Sequence, residues 1–301
     1  MRYGVMLDTS GSIDEVIKET RWAAQGGLSS VWSPQIFGYD ALTLLAVVGR
    51  EVDGIELGTA VVPTYPRHPI VLAGQALTTQ AASGGRLALG IGLSHRIVIE
   101  SMFGHSFDKP ARHMREYLSV LLPLLQGQAV SFQGETLKGT TMGPLDVKAK
   151  PPPVLLAALA PVMLRLAGSV ADGTVTWMTG PSTIGEHIVP SIARAAKEAG
   201  RPEPRVVAGL PVCVTADPDA ARERAATTFA IYGQLPSYRA MLDREGAEGP
   251  ADVAIVGDQD AVASGLTALF DAGATEVVAA PYGSDEERKR TADLLTSLAG
   301  R

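Results

Sequence analysis

Hydrophobic positions along the chain fall into two kinds of segment. Short, uninterrupted apolar runs, β-branched or flanked by glycine, occur at 3–7 (YGVML), 28–33 (LSSVWS), 55–62 (IELGTAVV), 86–92 (RLALGIG), 153–159 (PVLLAAL), 173–178 (GTVTWM), 205–214 (RVVAGLPVCV) and 274–281 (ATEVVAAP). Runs that are apolar at every position predict strands buried on both faces, as in a parallel sheet covered by helices. Between them lie segments of helical period with legible ends. Ser12 with Glu15, Thr183 with Glu186 and Ser284 with Glu287 have the spacing of capping boxes. Asp217 before Pro218 reads as an N-cap followed by proline at the first helical position. From Asp108 to Gln126 the chain places Met114, Tyr117, Leu118, Leu121, Leu122 and Leu125 on one stripe, with Pro123 predicting a local kink.

Eight strand candidates alternating with helices predict an α/β fold, a (β/α)8 TIM barrel formed by residues 1–301 as one domain. Two irregular segments interrupt the alternation. Residues 127–152 carry short alternating pieces around Gly134 and read as a hairpin-like insertion. Residues 229–252 are polar and broken by Gly and Pro, and read as a second insertion or a lid over the barrel mouth. Composition adds little to this but excludes much. The 301 residues are 46% hydrophobic and carry a net charge of −6. With no Lys/Arg clusters, that balance argues against nucleic acid. Nothing approaches eighteen uninterrupted apolar residues, so no membrane span is expected, and the apolar run at the start is too short for a signal peptide. A single cysteine, Cys213, excludes a disulfide framework and suits a reducing cytoplasm. An enzyme acting on a small molecule is the class these observations leave.

The stretch SGGRLALGIGLSHR, residues 83–96, tests that reading. A dinucleotide fingerprint requires Gly-x-Gly-x-x-Gly after the first strand of a βαβ unit. Here Gly90 and Gly92 are followed by His95 where the third glycine belongs, and several strand–helix units come first. No Gly-Lys-Ser/Thr occurs either, which excludes a phosphate loop of that kind. Instead Ser83-Gly84-Gly85 closes a helix, Arg86 to Gly92 forms a barrel strand, and Gly90 and Gly92 leave its mouth bare of side chains. A flat ring can approach such a backbone closely.

The segment GTAVVPTYPRHPIVLAGQALTTQAASGGRLALGIG (58–92) resembles the signature of the luciferase-like superfamily of flavin and deazaflavin oxidoreductases. LSSVWSPQIFGYDALTLLA (28–46), LLAALAPVMLRLAGSVADGTVTWMTGP (155–181) and VGDQDAVASGLTALFDAGATEVVAAPYG (256–283) extend the resemblance over most of the chain in the family's order. It implies a TIM barrel with an insertion, and PQIFGYDALT together with AALAP resembles the branch that uses coenzyme F420, a deazaflavin. The activity implied is hydride transfer between the reduced deazaflavin and a small organic substrate, with reduction of an activated C=C, C=N or C=O bond. An FMN-dependent luciferase-like monooxygenase and a non-catalytic flavin- or ligand-binding barrel stand as alternatives. Members are frequently homodimers, and the weakly charged helix at 69–83 offers an interface.

The resemblance also assigns residues. A non-prolyl cis peptide at the end of the third strand corresponds to Ala60-Val61, just after Thr59, as a bulge behind the ring. Ala157, Ala158, Leu159 and Ala160, leading into Pro161, would supply main-chain donors for a phosphate at a helix start, with Thr179, Gly180, Pro181 and Ser182 as a second donor set. Gly92, Leu93 and Ser94 would line the polar edge of the ring, while Met6 and Trp177 would wall it. Gln35, Ile36 and Tyr39 follow the second strand at the catalytic mouth. In sugar-phosphate dehydrogenases of this branch a histidine stands at the position of Ile36. Isoleucine cannot transfer a proton, which favours reduction over alcohol oxidation by that mechanism. His95 is then the proton donor expected, its ordinary pKa suiting the task, with Gln35 as a second catalytic candidate. Arg67 and His68 are expected to fix their loop. His105, His113 and His187 lack ligand spacing, so no metal site is proposed.

Overall fold

The structure, a computed structural model, describes residues 1–300. Eight parallel strands close on themselves: β1 (Tyr3–Met6), β2 (Ser30–Ser33), β3 (Glu56–Thr59), β4 (Leu87–Gly92), β5 (Val154–Leu156), β6 (Gly173–Trp177), β7 (Arg205–Val214) and β8 (Glu276–Pro281). Each pairs with its successor, and β8 returns to β1 in register, Tyr3 opposite Val277. This is the (β/α)8 barrel that the apolar runs predict. β4 is buried at every position, as is β7 beyond Arg205, because helices cover one face and the barrel interior fills the other.

The interior is packed by Trp32, Ala88, Leu155, Val175, Val207 and Val278, one side chain from each of six strands. Trp32 sets the geometry below the mouth. Its indole N–H donates to Ser30 Oγ (2.8 Å) and Glu276 Oε1 (3.1 Å), and its ring occupies the space that a Cβ on Gly58 would need. Glu276, fully buried, is neutralised by Arg205 at 2.8 Å and Arg2 at 3.2 Å, so the closed end of the barrel carries no unpaired charge.

The surrounding helices include α1 (Ile13–Gln25), α2 (Ala41–Glu51), α3 (Pro69–Ala82), α4 (Pro110–Leu125), α5 (Pro161–Val170), α6 (Val189–Glu198), α7 (Pro218–Thr228), α8 (Pro236–Glu245), α9 (Gln259–Asp271) and α10 (Asp285–Ala299). The expected capping boxes at Ser12 and Ser284 are formed, and Asp217 accepts from the Ala220 N–H. The Thr183–Glu186 box is not. Helical structure starts at Pro181 with Gly180 as its cap, so Thr183 already lies inside the first turn. Proline at the first helical position, two residues upstream, decides that start. Pro123 falls in the last turn of α4, where its missing N–H interrupts only the end of the helix.

The two irregular segments carry structure of their own. Ser131–Gln133 pairs antiparallel with Lys138–Thr140 as the expected hairpin. Its turn is held by Glu116 of α4, whose carboxylate accepts from the N–H groups of Glu135, Thr136 and Leu137. The second insertion is more ordered than its polarity suggested. It contains a 3-10 turn at Ala230–Gly233, α8, and a short helix at Pro250–Val253, followed by a strand at Ile255–Gly257 that pairs with β7.

Candidate functional site

The floor of the site is a bulge between β3 and β4. Gly58 lies opposite Ala88 and Val62 opposite Ile91, so three residues on one strand face two on the other. Within that bulge the Ala60-Val61 peptide bond is cis, as the resemblance implied. Leu89 donates to Pro153 and Ile91 accepts from Ala157, which directs their main-chain groups to the β5 side. Gly90 therefore turns its N–H and C=O toward β3. There the Thr59 hydroxyl takes both, donating to Gly90 O at 2.7 Å and accepting from Gly90 N at 2.9 Å. A Cβ on Gly90 would overlap the Thr59 carbonyl oxygen, and one on Gly92 would lie 2.7 Å from Val61 Cγ2. Glycine at both positions is what lets the bulge lie this close.

Above this floor opens a cavity of about 1960 Å³. Of the residues singled out in the sequence, Met6, Gln35, Ile36, Ala60, Val61, Gly92, Leu93, Ser94, His95, Ala157, Leu159, Ala160 and Trp177 line it together. Thr59, Tyr39, Ala158, Thr179, Gly180 and Pro181 do not. Thr59 and Ala158 are fully buried behind the wall, Thr59 as the clamp just described. Gln35 faces the cavity, but its carbonyl oxygen accepts from the Ala41 N–H at 2.8 Å and is committed to the start of α2. Ile36 stands on the rim, 60% exposed. Arg67 pairs with Asp40, and His68 caps α3 while bonding Lys138 O at 2.8 Å, so this polar pair does fix its loop.

The two helix starts expected to bind phosphate differ in one decisive respect. At α5 no side chain caps the first turn, and Leu159, Ala160, Val162 and Met163 line the cavity. Pro161 carries no N–H and the Met163 N–H is bonded to Ala160 O at 2.9 Å, so the donor that this first turn turns to the cavity is the Val162 N–H. The loop before α5 is held in place by His187, bonded to Leu159 O at 2.8 Å. After β6, by contrast, the donors are already satisfied from within the chain. Glu245, at the end of α8, accepts from the N–H groups of Ser182 (3.0 Å) and Thr183 (2.7 Å), and its carboxyl fills the space beside Gly180. The Ser182 and Thr183 donors that follow Thr179–Gly180–Pro181 are thus taken by an internal carboxyl, whereas the start of α5 carries no side-chain cap.

Aromatic rings roof the cavity. Trp177 meets Phe229 and Tyr232 edge-on at 6.1 and 5.9 Å, and Tyr232 meets Tyr238 at 5.1 Å. Tyr238 in turn lies 5.6 Å from His95. Burial presses the His95 pKa below its ordinary value, so the ring is neutral at neutral pH. Ser94 takes a left-handed φ of 60° just before it, turning the chain sharply at the mouth of β4. Among the described residues Trp177 Nε1 and Arg67 Nη1 are buried donors without a hydrogen-bond partner, on residues that line the cavity.

One group went unread in the sequence. Glu19 and Trp22 of α1 line the same cavity, beside Asp8 and Arg288. Glu19 Oε2 accepts from the Asp8 N–H at 3.0 Å, and burial raises its carboxyl to a pKa of about 7. The signal was available. Val16, Thr20 and Ala23 are the buried residues of α1, and Glu19 falls beside them on that inward face, where an acid is out of place.

A family model described as luciferase-like monooxygenase matches residues 1–276. The chain belongs to that family. Among curated relatives, a 5,10-methylenetetrahydromethanopterin reductase of Methanolobus tindarius is 27% identical over 96% of this chain and 97% of its own. A putative coenzyme F420-dependent oxidoreductase of Mycobacterium tuberculosis is 29% identical over 83% of this chain and 75% of its own. The solved structure of a coenzyme F420-dependent tetrahydromethanopterin reductase from Methanopyrus kandleri superposes with a TM-score of 0.83 at 25% identity, covering 98% of this chain and 97% of that one. Among the described residues no three His, Cys, Asp or Glu side chains gather as a metal site, and no helix is long and apolar enough to cross a membrane.

Proposed function

We propose that this chain is an F420-dependent oxidoreductase that moves hydride between the reduced deazaflavin and a small organic substrate, reducing an activated C=C, C=N or C=O bond. The observation that carries the reading is the pairing of the bulged floor at Ala60-Val61 with an uncapped α5 start on the same cavity. A planar ring bearing a phosphate tail is served by both, a flat backbone surface for the ring and, for the anion, the Val162 N–H with the positive end of the α5 dipole. The orphaned donors Trp177 Nε1 and Arg67 Nη1 fit a heterocycle edged with carbonyl oxygens. Named relatives that use F420 favour a deazaflavin over FMN.

Once bound, the group supplies hydride, because carbon replaces the flavin nitrogen that activates oxygen. The protein does the rest. Gly92, Leu93 and Ser94 present main-chain groups to the ring edge, and the helix dipole of α5 favours the phosphate. Trp177, Tyr232 and Tyr238 exclude water from the reacting face. Ile36 on the rim contributes an apolar contact and no proton. Titration of the purified protein with F420 and, separately, with FMN tests the reading. Saturable quenching of deazaflavin fluorescence with no FMN response is expected. Tight FMN binding without a deazaflavin response would reject it in favour of the monooxygenase.

A further inference from the structure

We infer that Glu19 is the proton donor of this cavity and that Asp8 is the fixed negative charge beside it. The inference rests on the reductase reading above. Met6, Ala60 and Val61 each pack against the interior cluster around Trp32 and line the cavity, and Asp8 is two residues beyond Met6 along the same wall. Two residues span at most about 7 Å, so the Glu19 carboxyl, bonded to the Asp8 N–H, is held close to Met6 on the cavity that Ala60 and Val61 floor. A substrate held in that cavity has the Glu19 carboxyl on its wall.

The two carboxyls have environments that separate their roles. Asp8 is exposed and accepts from Ser10 N (3.0 Å) and Ser10 Oγ (2.6 Å), which, with Arg288 nearby, holds it below the usual carboxylate range. Glu19 lies on the inward face of α1, where burial and the Asp8 charge favour its neutral form. The Asp8 N–H and Arg288 oppose that shift without cancelling it. From α10, Arg288 is itself paired with Asp285 at 2.6 Å, and Lys289 lines the same wall. The competing donors are poorly placed in pKa. His95 is pushed down by burial, whereas Tyr238 is pushed up.

The step balances simply. A reduced deazaflavin, when bound, would supply hydride to one atom of the substrate double bond. The π pair moves to the other atom, which takes the proton from the Glu19 carboxyl as its O–H bond breaks. The carboxylate left behind regains a proton from solvent. Such a positioned acid contributes about 10²–10⁴-fold to the rate, and its protonated fraction falls as pH rises through about 7.

The test uses Glu19→Gln and Glu19→Asp in the full chain. In ligand-free protein, infrared titration is expected to show a protonated carboxyl band that disappears near pH 7 and is missing from Glu19→Gln. Glu19→Gln should quench deazaflavin fluorescence as the wild type does. Its single-turnover reduction should fall by about 10²-fold or more and lose the decline above pH 7. Glu19→Asp should recover part of the rate together with that decline, which a purely structural role would not predict. A Glu19→Gln protein that binds the cofactor and keeps the wild-type rate and pH limb overturns the proposal, as does the absence of a band titrating near 7. If the wild type itself fails to quench, the cofactor reading fails instead, and the infrared arm still decides the state of Glu19.

Discussion

Thr59→Val probes how the floor is built. The two side chains have nearly the same shape, so the change removes the hydroxyl and little else. In the native structure that hydroxyl is the partner of both Gly90 main-chain groups, at 2.7 and 2.9 Å, in a fully buried location. The bulge withholds the neighbouring strand's own groups, and no water can reach. Leaving one buried polar group unsatisfied costs about 1–3 kcal/mol, so the pair should cost about 2–6 kcal/mol. The assay is urea unfolding of the wild type, Thr59→Val and Thr59→Ser, compared at constant m. Thr59→Ser keeps the hydroxyl and should lose only the methyl contact, roughly 1 kcal/mol. Because the same bonds hold Ala60 and Val61 against Gly90 and Gly92, Thr59→Val should also weaken deazaflavin quenching. A Thr59→Val protein within about 0.5 kcal/mol of the wild type would refute the argument that the hydroxyl replaces the missing ladder bonds.

Two further outcomes follow from the same structure. Glu245→Ala removes the acceptor of two helix-start N–H groups and unties α8 from the barrel; a loss of about 1–2 kcal/mol is expected for this half-buried site, with faster proteolytic cleavage within 229–252, while Glu245→Gln, which still accepts, should show less of both. Stability should depend on pH at both ends. Glu19, raised from 4.5 to about 7, binds its proton more tightly in the folded state, so its contribution is full below about 4.5 and lost as pH rises through about 7. His113, stacked on Tyr65 at 3.9 Å and bonded to Thr64, is lowered from 6.5 to about 4 by burial, so its contribution is present above 6.5 and lost as pH falls toward 4. Each is worth at most about 3.4 kcal/mol, and melting temperatures of Glu19→Gln and His113→Asn against the wild type from pH 4 to 8 should show the two windows separately.

The barrel was legible because its strands are buried on both faces, which writes each one as an apolar run such as Leu87–Gly92. Helix starts were legible where side chain and main chain close a local loop, as at Ser12 and Ser284. Thr183 failed because proline at 181 fixes an earlier start. What fills the helix start after β6 was hidden for a different reason. Its occupant, Glu245, lies 63 residues from Ser182, and nothing local in either segment announces the contact. α8 was hidden by the polarity of a helix that covers a mouth rather than a core, with only Met241 and Leu242 fully buried. The bulge came from the resemblance rather than from periodicity, since Gly58 to Val62 reads as ordinary strand until the register shows three residues opposite two. Glu19 was legible and missed, an acid beside Val16, Thr20 and Ala23 on the inward face of α1.

The central claim is that main-chain groups at two places, the β3–β4 bulge and the open start of α5, hold a phosphate-bearing planar ring. A crystal structure with reduced F420 tests it most directly. The account predicts the ring against Ala60 and Val61 with the phosphate at Ala160–Val162, and Glu245 still bonded to Ser182 and Thr183. A phosphate that displaces Glu245 from those two residues, or a ring lodged away from the bulge, would contradict it.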